Sequence, residues 1–134
     1  MKLTKNISEK ELFCKCTYPD CTHKTLFPQS QDLAQTIQDC VDHFARSQNR
    51  NVKVIINCAN RCPQHNEDVG GSPKSQHVEG IAADIVLIYS DGERIPPNLV
   101  ASYFEHRYLR SHGVGRYSSF THIDIRKNTA RWKS

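Results

Sequence analysis

One stretch of the sequence carries two side chains that are typical ligands of a divalent metal. His77 precedes Gly80, and Asp84 lies inside the otherwise apolar run 81–88. A turn at Gly80 would let the chain fold back and direct both side chains at one place. An unpaired carboxylate is costly to bury, so its position within an apolar strand favours a metal or a cation beside Asp84.

A third ligand is predicted further along the chain. In the segment 120–126, strand alternation places His122, Asp124 and Arg126 on one face and β-branched residues on the other. Two imidazoles and a carboxylate suit zinc, and three protein ligands leave a fourth position for water, as in catalytic zinc sites. Bound zinc lowers the pKa of its water to about 7 and polarises a carbonyl. We therefore predict that His77, Asp84 and His122 hold one catalytic zinc.

A second, structural metal site is possible in a cysteine-rich loop. The loop contains four potential zinc ligands: Cys14, Cys16, Cys21 and His23. Four such ligands can hold together a segment that lacks a core of its own. Their spacing differs from that of CxxC pairs, so a reduced, partly buried loop without metal is an equal alternative.

Sequence patterns predict the elements that position these residues. The capping box formed by Ser8 and Glu11 predicts a short helical turn, and an apolar stripe predicts a helix that begins at Ser30. The stripe consists of Leu33, Ile37, Cys40, Val41 and Phe44. Strands are expected at 52–56, 80–88, 113–117 and 120–126, with a third helix over 98–110 and a long loop over 57–75.

These elements predict one α+β domain spanning residues 1–134, with helices packed on a small antiparallel or mixed sheet. Residues 1–29 are expected to form a docking segment with the cysteine-rich loop, and residues 30–134 the core. In the third helix, the expected inward-facing residues are Leu99, Val100, Tyr103, Phe104 and Tyr108.

Composition excludes several classes of function. The chain has 134 residues, 37% of them hydrophobic, and its net charge of +4 is spread along the chain without a basic stripe. We therefore expect no nucleic-acid partner, no stable membrane insertion and a monomer. No apolar signal-peptide region follows the first basic residues, so we expect synthesis without a signal peptide. The six cysteines are then expected to be thiols or metal ligands rather than disulfides.

Four motifs together resemble the zinc D-Ala-D-Ala carboxypeptidases, the L-alanyl-D-glutamate peptidases and their phage endolysin relatives. They are SQHVEGIAAD at 75–84, GVGRYSSFTHID at 113–124, RCPQHN at 61–66 and RW at 131–132. The resemblance covers nearly the whole chain. It implies the fold shared with hedgehog-type domains and hydrolysis of a bond in the peptidoglycan stem peptide.

The resemblance also implies roles for individual residues. His77, Asp84 and His122 match the zinc ligands of the family. Arg61 matches an arginine that engages the carboxylate or carbonyl of the substrate, and Ser75 matches a serine that contacts the substrate. For Arg61 the alternative is a surface salt bridge or a cap on the loop.

This sequence departs from the family at the general base. Several relatives place an acid or a histidine just upstream of the last ligand, where this chain has Ser-Ser-Phe-Thr. Asp124 is the nearest candidate for a catalytic role. It can either accept a proton from the zinc-bound water or orient His122, and the sequence leaves both roles open.

The predicted function is that of a zinc metallopeptidase which cuts either the D-Ala-D-Ala or the L-Ala-D-Glu bond of the stem peptide. The resemblance implies a phage or prophage endolysin that reaches the cell wall once the membrane is permeabilised. The alternative is a non-enzymatic zinc module of the same fold that binds the wall or a partner.

Overall fold

The longest helix supplies one side of the core. A computed structural model of the protein describes residues 1–134, and in it α1 spans Ser30–Gln48. All five residues of the predicted apolar stripe are buried, which confirms this helix. Ser30 is its first residue rather than the cap that we expected, and its hydroxyl accepts a hydrogen bond from the Phe27 N–H at 2.8 Å.

The core lies between the helices and a five-stranded mixed sheet. The strands are β1 Val52–Cys58, β2 Ala82–Tyr89, β3 Gly113–Arg116, β4 Thr121–Asp124 and β5 Ala130–Lys133. Their order is β1-β2-β4-β3-β5, and every pairing is antiparallel except that of β3 with β5. The α+β architecture and the mixed sheet are as predicted, but β5 was not predicted as a strand.

A later helix packs against β3 and β4. It spans Pro97–Arg107, three residues less at its C-terminal end than predicted. Val100 and Phe104 are buried as expected, whereas Leu99 is 53% exposed, so its predicted inward orientation is wrong. No helix combines the length and the apolarity that crossing a bilayer requires.

A short helix interrupts the segment that was predicted as a long loop. It spans Pro63–Asp68, so in chain order it is α2, and the later helix at 97–107 is α3. The Cys62 sulfur accepts a hydrogen bond from the His65 N–H at 3.4 Å, and proline at the first position suits a helix start. Six residues are too few for an apolar period to be recognised.

The N-terminal segment docks through one turn of 3₁₀ helix at Glu9–Leu12. Glu11 accepts a hydrogen bond from the Ser8 N–H at 3.2 Å, as the capping box predicted. The Leu12 side chain is fully buried in the main core. Residues 13–29, which follow, contain no helix or strand.

One row of residues crosses the sheet from edge to edge and forms the base of the candidate site. Strand register pairs Cys58 with Asp84, Asp84 with His122, His122 with Gly115, and Gly115 with Trp132. The neighbours of these residues along the strands, among them Ala83, Ile85, Val114 and Ile123, are buried in the core. Because side chains alternate between the two faces, the row lies on the face opposite the core.

Candidate metal centre

The three predicted ligands meet at one oxygen atom. His77 Nε2 lies 3.3 Å and His122 Nδ1 lies 3.1 Å from Oδ1 of Asp84. Around a tetrahedral zinc with bonds of about 2.0–2.1 Å, neighbouring ligand atoms are roughly 3.3 Å apart. The distances of both histidine nitrogens from Asp84 therefore suit ligands of one such ion.

Hydrogen bonds fix which nitrogen of each imidazole faces Asp84 without a proton. His77 Nδ1 lies 2.8 Å from the Ala59 carbonyl oxygen, and His122 Nε2 lies 2.8 Å from Oδ2 of Asp124. Both partners can only accept, so in the neutral form of each ring these nitrogens carry the protons and the other two present lone pairs to Asp84. Two lone pairs that face a carboxylate repel it unless a cation lies between them. The donor set therefore fits zinc.

The pKa values also show that the centre favours positive charge. Burial by itself lowers the pKa of His77, but its hydrogen bond to Asp84 raises that pKa to about 9. Burial would raise the pKa of Asp84, but hydrogen bonds from His122 and His77 hold it far below its usual range. Without metal, a proton on His77 takes the place of the cation.

This pKa shift predicts how the stability of the metal-free protein depends on pH. The folded-state pKa of His77, about 9, lies above its ordinary value of 6.5. Its contribution to stability is therefore complete below pH 6.5 and is lost as the pH rises through 9. In chelator, we expect the melting temperature of the wild type to fall over this range more than that of Asp84→Asn, in which His77 lacks the charged partner. Parallel curves for the two proteins would contradict this.

Asp124 lies next to the centre and contacts one of the three ligands, His122, through Nε2. Its side chain is fully buried, and Arg126 donates to Oδ1 and to Oδ2 at 2.7 Å each. The Gly113 N–H also donates to Oδ1 at 3.1 Å, and a Cβ at this glycine would collide with the carboxylate. Despite burial, the bonds from Arg126 and His122 hold the pKa of Asp124 far below its usual range. Both oxygens are engaged, which favours the orienting role over proton transfer.

The centre opens into a polar cavity of about 440 Å³. The residues that line it are Arg61, Ser72, Lys74, Ser75, Gln76, His77, Asp84, Tyr117, His122, Arg126 and Trp132. Both predicted substrate-contacting residues, Arg61 and Ser75, are among them. Asp84 is the one carboxylate in the lining, and Asp124 does not reach it.

Arg61 holds a guanidinium at the cavity without an acidic partner. Nη1 donates to Oδ1 of Asn66 at 2.8 Å, and Nη2 donates to the sulfur of Cys58 at 3.3 Å. Nε is buried and has no acceptor. No salt bridge involves Arg61, so the surface ion pair considered as its alternative role is absent. A guanidinium without an acidic partner is suited to bind a carboxylate of a substrate that enters the cavity.

Two aromatic residues of the site were not predicted from the sequence. Trp132 lies over Gly115, where a Cβ would come within 2.6 Å of the indole, and its ring centroid is 4.8 Å from that of His122. Its Nε1 donates to the hydroxyl of Tyr117 at 3.1 Å. The Tyr117 proton therefore remains available for donation. The Gly-x-Gly sequence of β3 could have indicated this contact, because a glycine in a strand often marks a place where another group packs closely against the backbone.

Cys58 also lies beside the centre, where no role was predicted for it. Its sulfur is 3.8 Å from Nδ1 of His77, and ligand atoms of Cys58, His77 and Asp84 all lie within 4.8 Å of one another. The contact is to the nitrogen that does not face Asp84. Burial raises the pKa of Cys58, but His77 and Arg61 outweigh this and lower it. The Cys58 sulfur therefore contacts both a predicted metal ligand, His77, and the predicted substrate-binding residue, Arg61.

The cysteine-rich loop forms a second cluster, whose fourth member differs from the predicted one. His23 lies apart from the thiols, with Nε2 2.9 Å from the Val78 carbonyl oxygen. The cluster consists of Cys14, Cys16, Cys21 and Cys62. Cys62 is distant in sequence from the other three, which is why local spacing could not identify it.

A mixed sheet that presents two histidines and an aspartate at an open polar cavity defines a metallohydrolase type of site. The chain belongs to the Peptidase M15 family, whose sequence profile matches residues 5–124. This match confirms the predicted resemblance, and it includes His77, Asp84, His122 and Asp124. A comparison with curated proteins gives no match. Membership of the family identifies a metallopeptidase, and its peptidases use zinc.

Proposed function

We propose that the protein is a zinc peptidase that hydrolyses a bond in the peptidoglycan stem peptide. The observation that carries the proposal is the guanidinium of Arg61, which has no acidic partner and lines the same cavity as the three ligands. Stem peptides are short and end in a carboxylate, which a planar donor beside a metal can hold in a fixed position. The Peptidase M15 match supports this substrate class at the level of the family.

Each residue of the cavity has a task in the proposed reaction. His77, Asp84 and His122 hold zinc, which when bound supplies a Lewis acid and lowers the pKa of water. Arg61 binds the substrate carboxylate, and Ser75 contacts the peptide beside it. The Tyr117 hydroxyl donates a hydrogen bond to the oxygen on which negative charge develops.

Asp124 acts through His122 rather than on the substrate. The carboxylate keeps the proton on Nε2 of His122, so Nδ1 stays free to bind metal. Arg126 holds the carboxylate with two parallel hydrogen bonds, which fixes the plane of the imidazole. In this proposal Asp124 is a positioning residue, and the base role considered for it is not assigned.

Mass spectrometry of digested muropeptides tests the proposal and identifies the bond. A D-Ala-D-Ala carboxypeptidase shortens pentapeptide muropeptides by one alanine and leaves tetrapeptides intact. An L-Ala-D-Glu endopeptidase cuts both substrates near the sugar. No product from either substrate with zinc-loaded enzyme would contradict the proposal, provided that a known stem-peptide peptidase digests the same material.

The alternative is a zinc module that binds the wall without cutting it. The observation in its favour is that no carboxylate other than Asp84 lines the cavity. A binding module would retain zinc and co-sediment with purified peptidoglycan, yet release no product over long incubation. The release of stem-peptide fragments would exclude it. Action as an endolysin is part of our first proposal, and lysis of bacteria after membrane permeabilisation is its test.

Arg61→Ala is expected to raise KM for a muropeptide by at least about tenfold and to lower kcat less. The reason is that Arg61 contacts the substrate carboxylate both in the enzyme–substrate complex and in the transition state. Arg50→Ala is the matched control. Arg50 is also an arginine, but it pairs with Asp91 at 2.9 Å on the surface, away from the cavity. Equal KM values for the two variants would contradict the substrate-binding role of Arg61.

A further inference from the structure

We infer that Cys14, Cys16, Cys21 and Cys62 bind a second zinc ion, which is structural and fixes Arg61 at the cavity. One sulfur atom from each of these residues lies within 4.8 Å of the other three. The zinc site is inferred from this geometry alone, whereas its effect on substrate binding through Arg61 rests on the proposed function.

The sulfur spacing suits a single tetrahedral ion. With zinc–sulfur bonds of about 2.3 Å, neighbouring sulfurs of a tetrahedral site are roughly 3.8 Å apart. The sulfurs of Cys16 and Cys62 are 3.7 Å apart, and no pair in the cluster exceeds 4.8 Å. Four sulfurs at these distances enclose one ion and leave no position for water, which is the closed arrangement of structural zinc sites.

The surroundings of the cluster are suited to negatively charged thiolates. The Cys62 N–H donates to the sulfur of Cys14, and the His65 N–H donates to the sulfur of Cys62, both at 3.4 Å. The Lys24 ammonium donates to the carbonyl oxygens of Cys14 and Cys16 at 2.7 and 2.5 Å. Four thiols that release their protons to solvent on binding zinc give a site of charge −2, and these donors offset part of that charge.

The cluster lies in a part of the chain without regular secondary structure. Residues 13–29 contain no helix or strand, and the three buried cysteines form a small group separate from the main core. Tyr18 and Cys21 are the only partly buried apolar residues against this group. Such a segment gains stability from a metal, because binding the ion closes the loop between residues 14 and 62.

The cluster connects directly to the cavity through Cys62. This residue follows Arg61 in the chain and precedes α2, whose Asn66 accepts a hydrogen bond from Arg61 at 2.8 Å. Holding the sulfur of Cys62 therefore fixes both the backbone of Arg61 and the helix that orients its guanidinium. Loss of the ion would free this segment, whereas the pairing of β2 with β4 would still hold Asp84 and His122.

Metal analysis of purified variants tests the inference. We expect two zinc ions per chain in the wild type, one in Cys16→Ser, one in His122→Ala and none in the double variant. Cys40→Ala is the control, because Cys40 is buried in α1 away from both sites, and it should keep two. In Cys16→Ser we further expect KM to rise several-fold with the remaining zinc retained. One zinc in the wild type that only His122→Ala removes would overturn the inference.

A measurement that leaves all four cluster cysteines in place covers the case in which Cys16→Ser does not fold. Titration of native His122→Ala protein with a thiol-binding mercurial should release one zinc as the four cluster thiols react. Cobalt substituted into the same protein should show thiolate-to-metal charge-transfer absorption. Iron in place of zinc, or an intact mass with two hydrogens fewer for each pair of cluster thiols, would overturn the inference in favour of an iron site or of disulfides.

Discussion

Replacing His122 by alanine is expected to lower the rate of muropeptide hydrolysis by about 10³-fold or more. A metal that acts as a Lewis acid contributes several kcal/mol to the transition state, and each 1.36 kcal/mol is a factor of ten in rate. His122 supplies one of the two nitrogens that face Asp84, and without it the ion keeps two protein ligands. Initial rates on a defined pentapeptide muropeptide measure the effect.

The control for this variant is His106→Ala. His106 is an exposed histidine of α3, outside the cavity, so its loss should leave both the rate and the zinc content unchanged. Far-ultraviolet circular dichroism establishes that His122→Ala is folded. A folded His122→Ala protein with more than a tenth of the wild-type rate would show that the reaction does not depend on this centre.

Replacing Asp124 by alanine is expected to lower zinc affinity and activity at limiting zinc by about 10- to 100-fold, as is usual for groups that orient a metal ligand. The variant removes the acceptor of the His122 Nε2 proton, so the imidazole can turn and its tautomer is no longer fixed. Because the defect lies in metal binding, excess zinc should restore much of the activity. Competition with a chelating dye measures the affinity.

The same variant distinguishes the two roles that the sequence left open for Asp124. If its carboxylate removed the proton from water, zinc affinity would be unchanged, excess zinc would not help, and the acidic limb of the pH–rate profile would be lost. Asp32→Ala serves as the control, because Asp32 is an exposed aspartate of α1. Unaltered zinc affinity in Asp124→Ala would contradict the positioning role.

The sequence was most informative where local periodicity and chemistry coincide. The apolar stripe of α1 has a helical period, and every member of it is buried. The convergence of His77 with Asp84 could be expected because a turn at Gly80 connects them, and strand alternation placed His122 beside Asp124. These features depend on neighbours within about ten residues of each other.

Several features that depend on distant residues could not be predicted. Cys62 completes the thiol cluster although it lies more than forty positions after Cys21 in the chain. His23, which is closer in sequence and was predicted as the fourth ligand, bonds to the Val78 carbonyl oxygen instead. The parallel pairing of β5 with β3 brings Trp132 over Gly115, and no local pattern encodes that pairing. The engagement of both Asp124 oxygens depends on the fold around Gly113 and Arg126, so the sequence could not separate its two roles.

An anomalous difference map from zinc-loaded crystals is the most direct test of the catalytic centre. We predict a peak about 2.0–2.2 Å from Nε2 of His77, an Asp84 oxygen and Nδ1 of His122, with a non-protein fourth ligand. No peak at this place would contradict it. So would a peak whose fourth ligand is the sulfur of Cys58, because a zinc closed by four protein atoms has no position for water.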